Sequence, residues 1–190
     1  WITGLLIILT SCSKTSDQSF ITTGCDTSFT LFNGLCTALY SNPQNKNDTM
    51  MDIETHAYCF RVSSAATICK IGYQNTSPTN TRPYLMEIYD SANNSLLYSG
   101  THVFGTQATT YVSIPPVNLV PGRVYLIKRT LPYMSNVMDL IGRVVWNQTA
   151  PLNFPMANGP FSITSSLFTY SNGTLQVYEY MLPYIDIVFE

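Results

Sequence analysis

The chain has 190 residues, of which 11% are charged and 13% are aromatic, and its formal net charge is −2. This length fits one domain of ordinary size together with a short leader. A near-neutral chain without clusters of Lys and Arg lacks the positive surface that nucleic-acid binding requires, so we predict no nucleic-acid partner.

The first residues form a short apolar run that ends in a cysteine. The run Gly4-Leu5-Leu6-Ile7-Ile8-Leu9 is far below the roughly 20 residues that span a bilayer, and its length is typical of the apolar region of a signal peptide. It continues into Leu9-Thr10-Ser11-Cys12, which resembles the lipobox of bacterial lipoproteins. That resemblance implies that Cys12 takes a diacylglycerol and becomes the new N-terminus, because several acyl chains together anchor a protein stably. The alternative is a buried apolar strand followed by a core cysteine.

The resemblance to a lipoprotein divides the chain into three parts. Residues 1–11 are the signal peptide, which we expect to be clipped at its start because the chain begins at Trp1 without a basic region. Residues 12–24 are the lipidated cysteine and a polar tether, and residues 25–190 are a single β-sandwich domain. The membrane is thus one expected partner, through the lipid anchor. The expected location is the bacterial cell envelope, at the outer membrane and facing the periplasm or the exterior, since Ser13 is compatible with outer-membrane sorting.

A rival location is the secretory pathway of a eukaryote, where the chain would be a glycoprotein. Asn-x-Ser/Thr sequons, which mark glycosylation in such proteins, begin at Asn47, Asn75, Asn93, Asn147 and Asn172. The lipobox favours the bacterial location.

The remainder of the chain is predicted to form β-strands, because short runs of β-branched and aromatic residues alternate with Gly, Pro, Asn and Ser clusters. We predict strands at Thr55–Val62, Ala66–Tyr73, Tyr84–Asp90, Ser95–Ser99, Thr110–Ile114, Arg123–Thr130, Leu140–Trp146, Ser162–Thr169, Leu175–Tyr180 and Tyr184–Phe189. No window shows sustained helical periodicity. A hairpin turn is predicted at Asp90–Ser95, and a type II turn at Val120-Pro121-Gly122-Arg123. The pattern predicts an all-β fold, a two-sheet antiparallel β-sandwich of jelly-roll type.

Thr55 to Glu190 also resembles an uncharacterised jelly-roll domain of secreted bacterial proteins that occurs beside glycan-active enzymes and adhesins. The segments that carry the resemblance are Phe60-Arg61-Val62, Ile68–Tyr73, Glu87–Asp90 with Leu96-Leu97, Val117–Tyr125, Asn158-Gly159 and Tyr184–Phe189. It implies the fold more than a function. The Trp that such domains carry before the fifth strand is replaced here by Thr109-Thr110-Tyr111.

Four cysteines remain once Cys12 is lipidated, an even number in an exported chain. If Thr55–Val62 and Ala66–Tyr73 form a hairpin centred on Ser64, Cys59 and Cys69 lie opposite each other, within disulfide range. Cys25 and Cys36 would then close a short loop. The alternative is that these residues are buried free thiols, which behave as small apolar side chains.

No catalytic or metal motif is present. The chain lacks a Gly-x-Ser-x-Gly elbow, and its two histidines, His56 and His102, have no partner that the sequence identifies. Glu87 and Glu179 lie in predicted strands, where carboxylates usually face solvent. No cysteine pair has zinc spacing, and calcium at Asp48, Asp52 or Asp90 lacks a loop motif. We therefore predict no cofactor and no enzymatic activity.

A binding module is the predicted function, with a glycan as its ligand. Sugar binding in β-sandwiches uses aromatic rings that stack on the sugar, with neighbouring amides that fix its hydroxyls. The long segment from Trp146 to Pro160, with a second loop beside it, supplies these groups; the predicted binding residues are Trp146, Asn147, Phe154, Asn158 and Tyr133. The alternative is that Trp146 ends a strand inside the core and the segment packs down over the sandwich. At the level of function, the alternatives are an adhesive surface protein that binds another protein and, more weakly supported, a glycan-active enzyme.

Overall fold

The computed structural model describes residues 24–50, 54–75, 83–131, 142–169 and 174–190. Cys12, Tyr133 and Asp52, which carry predictions made above, lie outside these residues. The described elements are α1 (Leu31–Tyr40), β1 (Asn45–Met50), β2 (Thr55–Val62), β3 (Ala66–Tyr73), β4 (Tyr84–Asp90), β5 (Ser95–His102), β6 (Thr110–Leu119), β7 (Tyr125–Thr130), β8 (Gly142–Asn147), β9 (Met156–Asn158), β10 (Phe161–Thr169), β11 (Leu175–Val177), β12 (Met181–Pro183) and β13 (Asp186–Phe189). The predicted all-β sandwich is confirmed.

The strands form antiparallel sheets that pack as a sandwich. The largest sheet has the strand order β11-β10-β2-β7-β4-β5, with β9 paired to β10. Two three-stranded sheets have the orders β1-β8-β12 and β13-β3-β6. Because β12 and β13 follow each other closely along the chain, this last segment connects the two smaller sheets.

The strand β2 shows why these residues form a sandwich. Successive side chains of a strand point to opposite faces, and His56, Tyr58, Phe60 and Val62 of β2 are all buried. The ring of Tyr58 stacks on Phe32 of α1, with 5.7 Å between ring centroids. Each fully buried apolar side chain of this size contributes about 1.5–3 kcal/mol to stability.

Two turns that the sequence predicted are confirmed. β4 and β5 pair as a hairpin, and Asn94 in its turn has φ 54°. At the second turn, the N–H of Arg123 donates to the carbonyl oxygen of Val120 at 3.3 Å, and Gly122 has φ 77°. Glycine adopts this left-handed conformation without a steric penalty, as a type II turn requires.

The predicted hairpin of β2 and β3 is wrong, and so are both predicted disulfides. β2 pairs with β10 and β7, whereas β3 pairs with β13 and β6, so the chain crosses from one sheet to another between them. This crossing separates Cys59 from Cys69. Cys69 instead forms a disulfide with Cys25, with 6.1 Å between their Cα atoms, and Cys36 and Cys59 are free thiols. Cys36 is buried in the core, as the alternative expected.

Helix α1 was not predicted. Its N-cap is Thr30, whose Oγ1 accepts from the N–H of Asn33 at 3.0 Å. The helix buries Phe32, Leu35 and Cys36, which lie on one face. No helix within the described ranges is long and apolar enough to cross a membrane.

Candidate functional site

The predicted aromatic platform is not a free surface. Trp146 and Asn147 are consecutive residues of β8, so their side chains lie on opposite faces of the strand. Trp146 is half-buried and packs with Val144 against a small cluster around Phe168 and Met181. Trp146 and Asn147 therefore cannot contact one ligand together.

The other predicted residues also have structural contacts. Phe154 is half-buried and packs against the main core, and the Nδ2 of Asn158 donates to the carbonyl oxygen of Leu31 at 2.9 Å. Leu152 is buried, and its N–H donates to the carbonyl oxygen of Glu179 at 2.7 Å. These contacts agree with the alternative in which the segment packs down over the sandwich.

A cleft of about 200 Å³ lies between the end of α1, the start of β1 and the segment after β8. We call it the asparagine cleft, because four amide side chains line it: Asn42, Asn45, Asn147 and Asn153. Apolar side chains, among them Leu39 and Leu152, complete its walls. Asn147 is thus the one predicted binding residue among the described ones that this cleft includes, and no charged side chain lines it.

Two of the four amides are held in place by hydrogen bonds. The Oδ1 of Asn147 accepts from the N–H groups of Thr149 at 3.0 Å and Ala150 at 2.9 Å, which fixes the turn after β8. Its Nδ2 donates to the Oδ1 of Asn45 at 2.7 Å, and the Nδ2 of Asn45 donates to the carbonyl oxygen of Leu39 at 2.8 Å. These bonds connect β1, β8 and the end of α1, and they make this wall of the cleft rigid.

The other two amides keep hydrogen-bonding capacity for a ligand. The Oδ1 of Asn42 accepts from the N–H of Gln44 at 3.0 Å, while its Nδ2 has no partner among the described residues. Asn153 is exposed, and neither its Nδ2 nor its Oδ1 has a partner in the described part of the chain. An amide offers both donors and an acceptor, so this wall can recognise hydroxyl groups.

A second cleft of about 210 Å³ lies near the other end of β1 and is lined by two charged side chains. Its lining includes Arg143 and Asp48. The Nε of Arg143 donates to the Oδ1 of Asn47 at 2.7 Å, and its guanidinium carbon lies 3.7 Å from the ring centroid of Tyr184. Because these contacts already hold Arg143, this cleft is a weaker candidate than the asparagine cleft.

The most perturbed carboxyl group lies in the core. Asp186 is fully buried, and its Oδ2 accepts from the hydroxyls of Thr30 and Tyr111, each at 2.8 Å. Burial raises the pKa of Asp186 to about 7, and the hydrogen bonds from Tyr111 and Thr30 oppose this rise. A carboxyl group without solvent access cannot meet a substrate, so Asp186 has a structural role.

Two of the carboxylates considered for catalysis or metal binding, Glu87 and Asp90, have charged partners. Glu87 pairs with Lys128 at 2.9 Å and accepts from the hydroxyl of Tyr89 at 2.7 Å. Asp90 pairs with Arg123 at 2.8 Å. Within the described ranges, one group of three potential metal ligands occurs, formed by Cys25, Cys69 and Glu190, and its two sulfur atoms are joined in the disulfide.

No family model matches the chain, and no curated protein matches it. The geometry described above is therefore the basis for a functional proposal. Of the four sequon asparagines that lie in the described residues, Asn75 and Asn147 are buried and cannot carry a glycan, whereas Asn47 and Asn93 are exposed, so the rival location stays open.

Proposed function

We propose that the chain is a membrane-anchored, extracytoplasmic and non-catalytic binding module, and that its ligand is a glycan held in the asparagine cleft. The observation that carries this proposal is an uncharged cleft in which amides and apolar side chains face the same space. The sequence Leu9-Thr10-Ser11-Cys12, which resembles a lipobox, supports the location of the module at a membrane surface.

The lining of the cleft suits a neutral polyhydroxylated ligand. Sugar hydroxyls both donate and accept hydrogen bonds, as amides do, and the C–H faces of a sugar ring pack on apolar groups such as Leu39 and Leu152. The cleft is smaller than the roughly 300–1,000 Å³ of pockets for drug-sized molecules. We therefore expect it to hold one sugar unit at the end or on a branch of a glycan.

The test is glycan binding by variants that change the cleft without breaking its wall. We expect Asn153→Ala and Asn42→Ala each to weaken binding by about two- to tenfold, because a lost hydrogen bond costs about 0.5–1.5 kcal/mol. Gln107→Ala is the matched control, since Gln107 is an exposed amide in the loop between β5 and β6. Binding is measured on a glycan array and then by calorimetry with the glycan that the array identifies.

Two results would contradict the proposal. One is binding that both cleft variants leave unchanged. The other is the absence of binding to any glycan by the folded, anchored protein.

A second candidate function is adhesion to another protein through strand β5. Within the described residues β5 pairs only with β4, so it forms an edge of the large sheet. Leu96 and Leu97 on this strand are 52% and 40% exposed. An open edge strand can add a strand from a partner. A protein ligand lost in Leu96→Lys but kept in Asn153→Ala would favour this function over glycan binding.

A further inference from the structure

Arg129 of β7 is buried, and no anionic side chain among the described residues pairs with it. Its side chain is 0% exposed, and its Nε, Nη1 and Nη2 atoms have no hydrogen-bond partner among the residues that the structure describes. A guanidinium stays charged at all accessible pH values and carries five N–H donors. A charge in this position is strongly destabilising unless something compensates for it.

Two tyrosine rings compensate for only part of this charge. The guanidinium carbon lies 5.4 Å from the ring centroid of Tyr73 and 5.2 Å from that of Tyr84. A ring at such a distance stabilises a desolvated cation, but a ring face does not satisfy N–H donors that point in the plane of the guanidinium. The donors of Arg129 therefore still lack an acceptor in the part of the chain that the structure describes.

His56 lies beside Arg129 and likewise has no hydrogen-bond partner within the described ranges. The two residues face each other in the ladder of β2 and β7. His56 is 0% exposed, and neither ring nitrogen has a hydrogen-bond partner in the described part of the chain. Burial, and secondarily the charge of Arg129, hold the pKa of His56 well below its ordinary range. A neutral imidazole keeps one N–H donor.

The two side chains converge on the start of β8. A Cβ atom added to Gly142 would lie 2.5 Å from the Nη2 of Arg129 and 2.8 Å from the Nδ1 of His56. The hydroxyl of Tyr73, at the end of β3, is likewise buried and without a partner among the described residues. Polar groups of β2 and β7 that lack partners among the described residues thus meet at the start of β8, and the ring of Tyr73 lies over the guanidinium.

We propose that Arg129 and His56 form an internal binding site for a small anion of the halide or short-chain carboxylate class. Such an anion accepts hydrogen bonds from the guanidinium and the imidazole, and its charge offsets that of Arg129. The site is separate from the asparagine cleft, and it does not depend on the glycan proposal.

The experiment measures the melting temperature of the protein in sodium chloride and in sodium formate. Ionic strength is held constant with sodium gluconate, whose anion is too bulky for a buried site. We expect the melting temperature to rise with the logarithm of the chloride or formate concentration, by on the order of 5 °C at about 100 times the dissociation constant. Arg129→Met should remove this response, and it should still fold because an apolar side chain of similar length often replaces a buried charge without loss of stability.

Arg61→Met is the matched control, because Arg61 lies on the same strand as His56 but is exposed. It should respond to the anions as the unaltered protein does. Diffraction from a crystal grown in sodium bromide tests the site without any variant, since the anomalous signal of bromide should appear beside the guanidinium. Equal anion responses in the unaltered protein and in Arg129→Met, with no bromide at Arg129, would overturn the proposal.

A carboxylate from outside the described residues would supply the same chemistry, and the experiment distinguishes it from a free anion. Asp52 and Asp139 lie outside the described residues, and in sequence they precede His56 by four residues and Gly142 by three. If one of these carboxylates occupies the site, formate will not change the melting temperature of the unaltered protein. The corresponding variant, Asp52→Asn or Asp139→Asn, will then have a lower melting temperature that rises when formate is added. That result would replace the free anion with an internal ion pair.

Discussion

Asp186 couples the stability of the protein to pH. In the folded protein its pKa is raised from its ordinary value of 3.8 to about 7, chiefly by burial. The folded state therefore favours the neutral carboxyl, whereas the unfolded chain ionises near its ordinary pKa. The favourable contribution is complete below about pH 4 and is lost as pH rises through about 7.

We expect the free energy of unfolding of the unaltered protein to fall by on the order of 4 kcal/mol between pH 4 and pH 8. In the Asp186→Asn variant this decrease should be absent. The amide has the same shape and does not ionise. Urea denaturation at a series of pH values measures this difference.

Asp90→Asn is the control for the pH experiment. The pKa of Asp90 is lowered, by a hydrogen bond from the N–H of Ala92 and by Arg123. Its contribution is therefore present above its unfolded pKa and is lost as pH falls. A decline above pH 4 that persists in Asp186→Asn would show that another group causes it.

Residue-level reasoning identified one residue of the candidate site and missed three. Asn147 was predicted from its polarity, and the structure places this residue in the lining of the asparagine cleft. Trp146 was grouped with it because the two are adjacent in sequence, although adjacent strand residues lie on opposite faces. Asn42 and Asn45 were missed because only the fold brings the turn after α1 to the segment after β8. Asn153 lies within the predicted segment but was not among the residues predicted to bind.

At the level of elements, the strands were predictable and their pairing was not. Nearly all predicted strands coincide with observed ones, because β-branched and aromatic runs between turn residues are a local signal. The short link Ser63-Ser64-Ala65 suggested a hairpin, but the apolar faces of β2 and β3 belong to different sheets. Strand pairing depends on contacts between residues that are distant in sequence, and a single amino-acid sequence does not show which strands make those contacts.

Helix α1 was missed for a different reason. Gly34 interrupts the segment, and Thr, Asn and Cys are poor helix formers. The helical signals were Thr30 as an N-cap and the spacing of Phe32, Leu35 and Cys36. The packing of these three side chains against the sandwich outweighs the weak propensity of the segment.

The disulfide attaches the segment before α1 to strand β3, and we expect it to stabilise the fold. Cys25 and Cys69 are separated by 44 residues in sequence. Cross-links of this kind typically contribute about 2–4 kcal/mol. Cys25→Ser with Cys69→Ser should lower the free energy of unfolding by this amount in urea denaturation, and Cys59→Ser is the control.

Peptide mapping of the unreduced protein tests the pairing directly. We expect one cross-linked peptide pair that joins Cys25 to Cys69, and free thiols at Cys36 and Cys59. A peptide that links Cys59 to Cys69 would contradict both the disulfide and the crossing between sheets.

For the whole molecule, the lipid anchor stays a prediction, because Cys12 lies outside the described residues. We expect cells that express the natural gene to incorporate radiolabelled palmitate into the protein, and Cys12→Ala to abolish the label. The Cys36→Ala variant is the control for nonspecific labelling of a thiol. Equal labelling with and without Cys12 would remove the membrane from the proposed function.

The bridge between Cys25 and Cys69 also determines how the molecule bears tension. A force applied to the residues before Gly24 reaches Cys25 and is transmitted through the disulfide to Cys69 in β3. The part of the chain between the two cysteines, which includes α1, β1 and β2, lies outside this path. The load therefore acts on a strand that is hydrogen-bonded on both sides, to β13 and to β6. If the chain is tethered through the residues before Gly24, α1, β1 and β2 therefore carry none of this load until β3 is pulled from its sheet.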